Sequence, residues 1–228
     1  YTLSRHDALP IYGFEARSES GDFMEAKNHW ETVYGTKAPD AVSWYAPHLT
    51  ESLAYIQKTG LPKTAAVIDV GGGEATLVDD LLADGYTDVT VLDISAKALE
   101  VCRHRLGGRG RDVKWIAANV LEHVFAPNSV DIWHDRALFH FLTDDGQRRA
   151  YVRKVLSALR PGGYAIVGTF GPEGPKECSG LPVARYDADG LHDEFGSSFH
   201  LVDSSTSVHT TPWGGSQQFV YCFCRLEH

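Results

Sequence analysis

The chain has 228 residues, 43% of them hydrophobic, and a formal net charge of −9, so it can bury one core without disulfide or metal staples. The acidic balance argues against a surface that follows a nucleic-acid backbone. Four cysteines without a CxxC pair do not form a disulfide framework, and no apolar run approaches the ~20 residues of a membrane helix, so we expect a cytoplasmic protein without nucleic-acid or membrane partners.

The two ends of the chain differ from the region between them. Residues 1–23 have no regular pattern and precede Met24, the single methionine, so we expect them to lie upstream of the domain. Residues 226–228 are typical of a tag remnant. These boundaries predict one domain over residues 24–225.

Hydrophobic periodicity predicts alternating strands and helices along this domain. Two helices, over 28–36 and 48–59, come first. The strands that follow are predicted over 65–70, 89–94, 113–118, 130–134 and 163–170, and the helices between them over 75–85, 95–107 and 144–160, with Ser95 and Thr143 as caps. A Gly/Pro-rich loop (171–182), a helix (187–195) and a hairpin (199–211 with 217–225) complete the chain. This order predicts an α/β fold with a mostly parallel sheet and an antiparallel C-terminal hairpin.

Three glycines, Gly71, Gly72 and Gly73, follow the first predicted strand. Glycine permits positive φ angles and lets a ligand approach the backbone closely. In an open α/β sheet a ligand binds at this point, beyond the carboxyl ends of the strands. Thr76 at the last position of a GxGxxG pattern argues against a dinucleotide, and the lack of a following GK[ST] argues against a nucleotide-triphosphate loop.

Other predicted strand ends add polar groups at the same edge of the sheet. Asp93 ends the second strand, where a carboxylate can accept hydrogen bonds from both ribose hydroxyls. Asn119 and Val120 follow the third strand and offer an amide and an apolar surface to an adenine. Arg136 follows the fourth strand, and its guanidinium is a bidentate partner for an amino-acid carboxylate. Together these groups suit a nucleoside that carries an amino acid.

Three segments resemble motifs of the class I S-adenosylmethionine-dependent methyltransferases, namely IDVGGGEA, VLDIS and LRPGGYAIVGTF. The resemblance implies a Rossmann-like three-layer sandwich whose seven-stranded sheet has the order 3-2-1-4-5-7-6. It implies S-adenosylmethionine as the cofactor and S-adenosylhomocysteine as the product. The residues that it assigns to the cofactor are Asp69, Gly71, Gly72, Gly73, Asp93, Ile94, Asn119 and Val120. Two positions depart from the family pattern, Ala75 for the third glycine and Asn119 for a frequent aspartate.

Within that class, the segments HWETVYGTKAPDAVSWY and WHDRALFHF are similar to the thiopurine S-methyltransferase-like branch. This resemblance implies that the N-terminal segment, residues 24–62, forms a lid over the cofactor. It also implies that Trp30, Tyr34 and Arg136 contact the cofactor. Ala137 stands where the DRGAL motif of the branch has glycine.

Candidate catalytic residues follow the fourth strand, where the transferred methyl group is expected to point. They are His134, Asp135 and His140. Each is a candidate proton acceptor if the acceptor molecule has to be deprotonated. The alternative is that they are solvated or buried side chains with structural partners.

Acceptor-binding candidates are three aromatic residues and one cysteine, namely Trp44, Tyr45, Phe139 and Cys178. The aromatic residues suit an apolar pocket or a cation–π cage, or they are plain packing. Cys178 suits a soft acceptor or gates the pocket, or its presence in a loop is incidental. Cys222 and Cys224 share one face of a strand, and we interpret them as core residues rather than a metal site.

The function that these residues predict is methyl transfer from S-adenosylmethionine to a small-molecule thiol, amine or hydroxyl, by a monomer or homodimer. A protein lysine methyltransferase is the first alternative, because the acidic surface suits a basic partner. A non-catalytic module that binds the cofactor and regulates another protein is the second. No metal is expected.

Overall fold

The computed structural model describes residues 19–227 of the chain and is organised around one large β-sheet. The strands are β1 (Ala66–Val70), β2 (Asp88–Asp93), β3 (Lys114–Ala117), β4 (Val130–Arg136), β5 (Leu159–Phe170), β6 (Glu177–Cys178), β7 (Leu181–Pro182), β8 (Phe199–Thr210) and β9 (Ser216–Leu226). The helices are α1 (Glu19–Thr36), α2 (Thr50–Lys58), α3 (Leu77–Ala83), α4 (Ala96–Leu106), α5 (Asp145–Ala158) and α6 (Ala188–Phe195).

The large sheet has the strand order β3-β2-β1-β4-β5-β9-β8. Strands β1 to β5 are parallel, whereas β9 runs antiparallel to both β5 and β8. Strands β6 and β7 form a separate two-stranded hairpin. When that small hairpin is left out of the numbering, the order is 3-2-1-4-5-7-6. The predicted Rossmann-like fold with its C-terminal antiparallel hairpin is therefore confirmed.

Two apolar layers cover the sheet, which explains why its strands are nearly continuous apolar runs. On one face, Trp133 and Val167 pack in a layer with helices α5 and α6. On the other face, Ile132 and Ile166 pack in a layer with α2, α3 and α4. Successive side chains of a strand point to opposite faces, so β4 and β5 contribute to both layers.

The predicted N-cap is confirmed at α4, whereas at α5 the cap lies one residue later than predicted. Ser95 caps α4 as predicted, because its hydroxyl accepts a hydrogen bond from the Ala98 N–H. At α5 the cap is Asp144 rather than Thr143, since the Asp144 carboxylate accepts the N–H of Gln147. A carboxylate at this position also interacts favourably with the helix dipole.

The segment over 171–182, predicted to be a loop, contains the β6–β7 hairpin. Ser179 and Gly180 form its two-residue turn, with φ angles of 53° and 77°. Positive φ angles at both positions are typical of a type I′ turn, whose twist suits a hairpin. The hairpin brings Cys178, Leu181 and Pro182 to the wall of the cavity that is described below.

The first described element is α1, which begins at Glu19 and thus before Met24. The prediction that residues 1–23 lie upstream of the domain falls mostly on residues 1–18, outside the described residues, as does the part of the predicted tag remnant at His228. Across residues 19–227, none of the helices combines the length and the apolar character needed to cross a bilayer.

Candidate active site

The turn after β1 is stabilised by the neighbouring strand. The N–H groups of Gly71 and Gly72 donate hydrogen bonds to the carbonyl oxygen of Leu92, at 2.7 and 3.2 Å. Gly71 has a φ of 69°, and a Cβ atom there would stand 2.7 Å from the Cβ atom of Leu138. At Gly73, with a φ of 51°, a Cβ atom would stand 2.4 Å from the hydroxyl of Tyr34. Only glycine fits both positions, because side chains are excluded by conformation and by space.

Asp93 ends β2 directly beside this turn. Its Oδ2 atom accepts the Gly73 N–H at 2.9 Å, and its Oδ1 atom accepts the Ser95 N–H at 2.8 Å. Burial raises the pKa of Asp93 to about 7, although both hydrogen bonds act in the opposite direction. The carboxylate is thus held in one orientation, and its remaining lone pairs can accept from two vicinal hydroxyls.

A cavity of about 880 Å³ lies along the carboxyl ends of the strands. This volume falls in the range of roughly 300–1,000 Å³ that is usual for ligand sites. The predicted site residues that line it are Trp30, Tyr34, Trp44, Gly71, Asp93, Ile94, Asn119, Val120, Arg136 and Cys178. Residues from the turn after β1, from β2, from α1 and from the β6–β7 hairpin therefore meet at one site, beyond the strand ends as the sequence pattern predicts.

Aromatic residues close one side of the cavity. The ring of Trp30 lies 5.8 Å from that of Tyr34, 5.9 Å from that of Trp44 and 5.2 Å from that of Phe141, measured between centroids. Three of these residues come from the N-terminal segment and one from the turn after β4. They form a lid of apolar surface over the cavity, and we call this group the aromatic lid.

Helix α1, which carries part of the aromatic lid, is attached to the start of α4. The Glu31 carboxylate accepts the Ala96 N–H at 2.8 Å, and the Lys97 ammonium donates to the Glu31 carbonyl oxygen at 3.2 Å. The Ala96 N–H is one of the four that a helix start leaves without an internal partner. Glu31 thus satisfies an open backbone donor while it holds the lid in place.

Arg136 and Cys178 line the cavity beneath the aromatic lid. The Arg136 guanidinium lies 4.3 Å from the centroid of the Phe219 ring and donates to the carbonyl oxygen of Trp44 at 3.2 Å. Burial raises the pKa of the Cys178 thiol to about 11, whereas a hydrogen bond with Ser43 and the charge of Arg136 lower it. An unprotonated thiol at Cys178 is therefore disfavoured in this state.

His134 lies in the core and does not line the cavity. Its Nδ1 atom lies 2.7 Å from Oδ1 of Asp69, and its Nε2 atom lies 2.8 Å from the hydroxyl of Ser52. The Ser52 hydroxyl is in turn 3.3 Å from that of Tyr221. A neutral imidazole satisfies these contacts, with Nδ1–H donating to the carboxylate and Nε2 accepting from the serine. The four side chains form a buried chain of hydrogen bonds behind the glycine turn.

Asp135 points to the opposite face of the sheet and organises the turn after β4. Its carboxylate accepts the N–H groups of Leu138, at 2.9 Å, and Phe139, at 3.1 Å, and the hydroxyl of Tyr151, at 2.5 Å. Burial raises the pKa of Asp135 to about 6, although these hydrogen bonds lower it. The turn holds Ala137 at a φ of 73°, a left-handed conformation in which alanine is strained.

The remaining predicted residues also lie away from the cavity wall. Phe139 is fully buried against Tyr151 and Phe195. His140 is buried as well: its Nδ1 atom accepts the Phe170 N–H at 3.4 Å, and burial, followed by the charge of Arg136, lowers its pKa to about 3. The others outside the cavity lining are Asp69, Gly72, Gly73 and Tyr45.

The pair formed by Cys222 and Cys224 is buried in the core, with the two Sγ atoms 2.8 Å apart. Across residues 19–227, no cluster of three or more His, Cys, Asp or Glu side chains has the arrangement of a metal site.

Two residues near the glycine turn and the lid were not singled out by the sequence analysis. Phe141 contacts Trp30, but the sequence FHF does not show which of its aromatic rings faces the cavity. Glu74 is 5% exposed, and neither of its carboxylate oxygens has a partner among the described residues. An acidic residue next to the glycine turn was an available signal for Glu74, but its burial cannot be read from the sequence.

Comparison with known proteins finds a match to a methyltransferase domain. Residues 67–163 match a family model described as a methyltransferase domain. The chain is 23% identical to EEF1A lysine methyltransferase 2 of Mus musculus over 105 residues, 41% of this chain and 43% of that protein. Its identity to the Homo sapiens protein of the same name is 19% over 194 residues, 79% of this chain and 76% of that protein. The first alignment thus spans less than half of the mouse protein.

Solved structures share the fold. One of them is described as showing the conversion of a disulfide bond into a thioacetal group during echinomycin biosynthesis. It has a TM-score of 0.71 and 23% identity, and the alignment covers 89% of this chain and 92% of that chain. Another is the N-methyltransferase NodS of Bradyrhizobium japonicum in complex with S-adenosylhomocysteine. It has a TM-score of 0.66 and 14% identity, and the alignment covers 88% of this chain and 100% of that chain. At these identities the likeness shows the fold.

The sheet order and the glycine turn are those of a Rossmann-like fold, and residues 67–163 match a methyltransferase domain. The cofactor that the sequence predicts for such a domain is S-adenosylmethionine.

The residues around the cavity suit this cofactor. Asp93 has lone pairs for two ribose hydroxyls, and Asn119 and Val120 line the part of the cavity that suits an adenine. The crowding around Gly73 shows that the turn has no room for a side chain. Glu74 is a buried carboxylate without a hydrogen-bond partner among the described residues; burial raises its pKa to about 7, although the charge of Arg105 lowers it.

Proposed function

We propose that this protein transfers a methyl group from S-adenosylmethionine to a small-molecule thiol or amine that binds beneath the aromatic lid. The observation that carries the proposal is the lid itself: Trp30, Trp44 and Phe141 cover the cavity near Arg136 and Cys178. A covered cavity of this size suits a small acceptor.

Each group of residues has a role in this proposal. The cofactor supplies an electrophilic methyl group on a sulfonium. Asp93 binds the ribose, and Asn119 and Val120 position the adenine. As in the thiopurine S-methyltransferase-like branch, the N-terminal lid and Arg136 hold the amino-acid end. Exclusion of water and correct orientation contribute much of the rate of such a displacement.

No histidine is among the described residues that line the cavity. His134 and His140 are buried with other partners, so neither is placed to take a proton from an acceptor in the cavity. An acceptor that is nucleophilic without a protein base fits best. A neutral amine meets this requirement, and so does a thiol that ionises in solution.

A panel of thiols, amines, phenols and carboxylates tests the proposal, with release of S-adenosylhomocysteine as the readout. We expect turnover with a thiol or an amine, and a raised KM for that acceptor in Trp44→Ala and Cys178→Ser. Trp213→Ala is the matched control, because Trp213 is 65% exposed and lies outside the cavity lining. Turnover with phenols alone, or equal effects of Trp44→Ala and Trp213→Ala, would contradict the proposal.

A protein lysine methyltransferase is the second candidate, and the similarity to EEF1A lysine methyltransferase 2 favours it. Incubation of a cell lysate with a labelled methyl donor separates the two. Label in protein that survives gel filtration supports a lysine acceptor, whereas label only in the small-molecule fraction supports the first candidate. Binding of S-adenosylhomocysteine with no transfer in either assay would support a regulatory module instead.

A further inference from the structure

The glycine turn is held through its N–H groups by β2, and its carbonyl groups have a separate set of partners in helix α4. The carbonyl oxygen of Glu74 accepts a hydrogen bond from Nη1 of Arg105 at 2.8 Å, and that of Ala75 accepts one from Nη2 at 2.7 Å. The thiol of Cys102, three residues earlier in α4, donates to the carbonyl oxygen of Gly73 at 3.3 Å. Three consecutive carbonyl groups thus have side chains of α4 as partners.

The backbone between β1 and α3 belongs to neither a strand nor a helix, so its carbonyl groups depend on other donors. A carbonyl group that is shielded from water and has no donor costs free energy comparable to a lost hydrogen bond. A guanidinium carries several N–H donors in one plane, and a single arginine can therefore satisfy two neighbouring carbonyl groups. Lysine carries its donors on one nitrogen and does not reproduce this geometry.

Arg105 is itself held in one orientation by a carboxylate of α3. Its Nε and Nη2 atoms donate to Oδ2 of Asp79 at 3.0 and 2.7 Å. The two side chains are 29% and 19% exposed, so water competes only in part for this ion pair. All three nitrogen atoms of the guanidinium have protein partners, and the planar group is therefore fixed against the turn.

Gly73 connects these contacts to the cavity. Its carbonyl group accepts from Cys102 of α4, whereas its N–H donates to Oδ2 of Asp93 at 2.9 Å. Asp93 lines the cavity, but Arg105 and Cys102 do not. A shift of the backbone that Arg105 holds therefore reaches the carboxylate of Asp93 through one peptide group.

We propose that Arg105 is a positioning residue of the nucleoside site, which fixes the glycine turn from outside the cavity and thereby sets the orientation in which Asp93 accepts the ribose hydroxyls. This inference rests on the proposed use of S-adenosylmethionine, and it adds a residue that acts without touching the ligand. A turn that is already ordered before binding lowers the free energy spent on ordering the site when the ligand arrives.

Calorimetric binding of S-adenosylhomocysteine tests this role. We expect Arg105→Gln to weaken binding by about tenfold, and Arg105→Lys, which keeps the charge but not the planar group, to weaken it by about threefold. Arg103→Gln is the matched control and should bind normally, because Arg103 lies on the same helix and packs on the ring of Trp115 instead. Equal losses in Arg103→Gln and Arg105→Gln would contradict the proposal.

A double-mutant cycle separates positioning from a purely structural role. If Arg105 acts through Asp93, the fold-loss in the double variant with Asp93→Asn should be smaller than the product of the two single losses. Asp88→Asn, at the other end of β2, should combine with Arg105→Gln without coupling. Urea unfolding gives the folded fraction of each protein, and Arg105→Lys carries the same cycle if Arg105→Gln does not fold.

Two kinds of failure are distinguishable. Losses that multiply in the cycle with Asp93→Asn, or unchanged binding by folded Arg105→Gln and Arg105→Lys proteins, would overturn the role of Arg105 while the proposed cofactor remains. If the unmodified protein does not bind S-adenosylhomocysteine, the proposed function fails, and the role of Arg105 fails with it.

Discussion

The imidazole of His134 lies 2.7 Å from the carboxylate of Asp69, and this pair joins β4 to β1 immediately behind the glycine turn. In the register of the two strands, Asp69 and His134 are direct neighbours. The hydroxyl of Ser52, in α2, lies 2.8 Å from the Nε2 atom of His134. The histidine that follows the apolar part of β4 therefore supports the floor of the site rather than facing the cavity.

The first prediction concerns this buried pair. His134→Ala leaves Asp69 buried without its partner and should lower the free energy of unfolding by about 3–5 kcal/mol. Ser52→Ala removes one neutral hydrogen bond and should cost about 1 kcal/mol. Urea unfolding measures both, with the exposed His104→Ala as the control. A loss of kcat in His134→Ala without a loss of stability would instead support His134 as a proton acceptor.

The second prediction concerns Asp93. Asp93→Asn removes the negative charge that two ribose hydroxyls need and should weaken calorimetric binding of S-adenosylhomocysteine by about 10- to 100-fold. Asp88→Asn is the matched control, because Asp88 lies at the other end of β2 and pairs with Lys114 on the surface. Similar losses in both variants would show that the acid does not contact the ligand.

The third prediction concerns the strained turn after β4. Ala137→Gly should raise the free energy of unfolding by about 0.5–1 kcal/mol, because relief of the left-handed alanine outweighs the added freedom of the unfolded chain. The midpoint of urea unfolding is the measurement. Ala158→Gly, in the buried last turn of α5, should be destabilising and serves as the control. A destabilised Ala137→Gly would mean that the turn is not strained.

The fourth prediction concerns the attachment of the lid. Glu31→Ala deprives the Ala96 N–H of its acceptor, so α1 should detach more readily and S-adenosylhomocysteine should dissociate several-fold faster. Stopped-flow tryptophan fluorescence follows the dissociation, because Trp30 and Trp44 belong to the lid. Glu100→Ala, on the exposed face of α4, is the control. Equal dissociation rates in the two variants would show that the Glu31 hydrogen bond does not hold α1 against α4.

The fifth prediction concerns pH. Burial raises the pKa of Glu74 to about 7, above its value of about 4.3 in an unfolded chain, so the folded protein binds this proton more tightly. The ionised carboxylate therefore destabilises the folded state, and this effect grows as the pH rises from about 4 to 7. Relative to the unmodified protein, Glu74→Gln should gain stability over that window and show a constant difference above it. Asp93, whose pKa is also about 7, is present in both proteins. A difference independent of pH, in thermal unfolding, would contradict the burial of Glu74.

Much of the site follows from local patterns. The apolar runs of β1, β2 and β4, and the glycines and acids at their ends, place Gly71, Asp93 and Arg136 at one edge of the sheet, as the parallel arrangement requires. The pattern is less informative about the turn after β4. That strand continues to Arg136 instead of ending at His134, so His134 and Asp135 point to opposite faces and only Arg136 reaches the cavity.

The amino-acid sequence by itself determined the α/β order and the position of the glycine turn, because hydrophobic periodicity and glycine turns act over a few neighbouring residues. The order of the strands in the sheet followed from the resemblance to a known family. The tertiary structure alone decided which polar side chains line the cavity. Helix α2 brings Ser52 to His134, and Arg105 of α4 reaches the backbone carbonyl of Glu74. These contacts join residues far apart in the chain, and their burial depends on how whole elements pack, which no local pattern encodes.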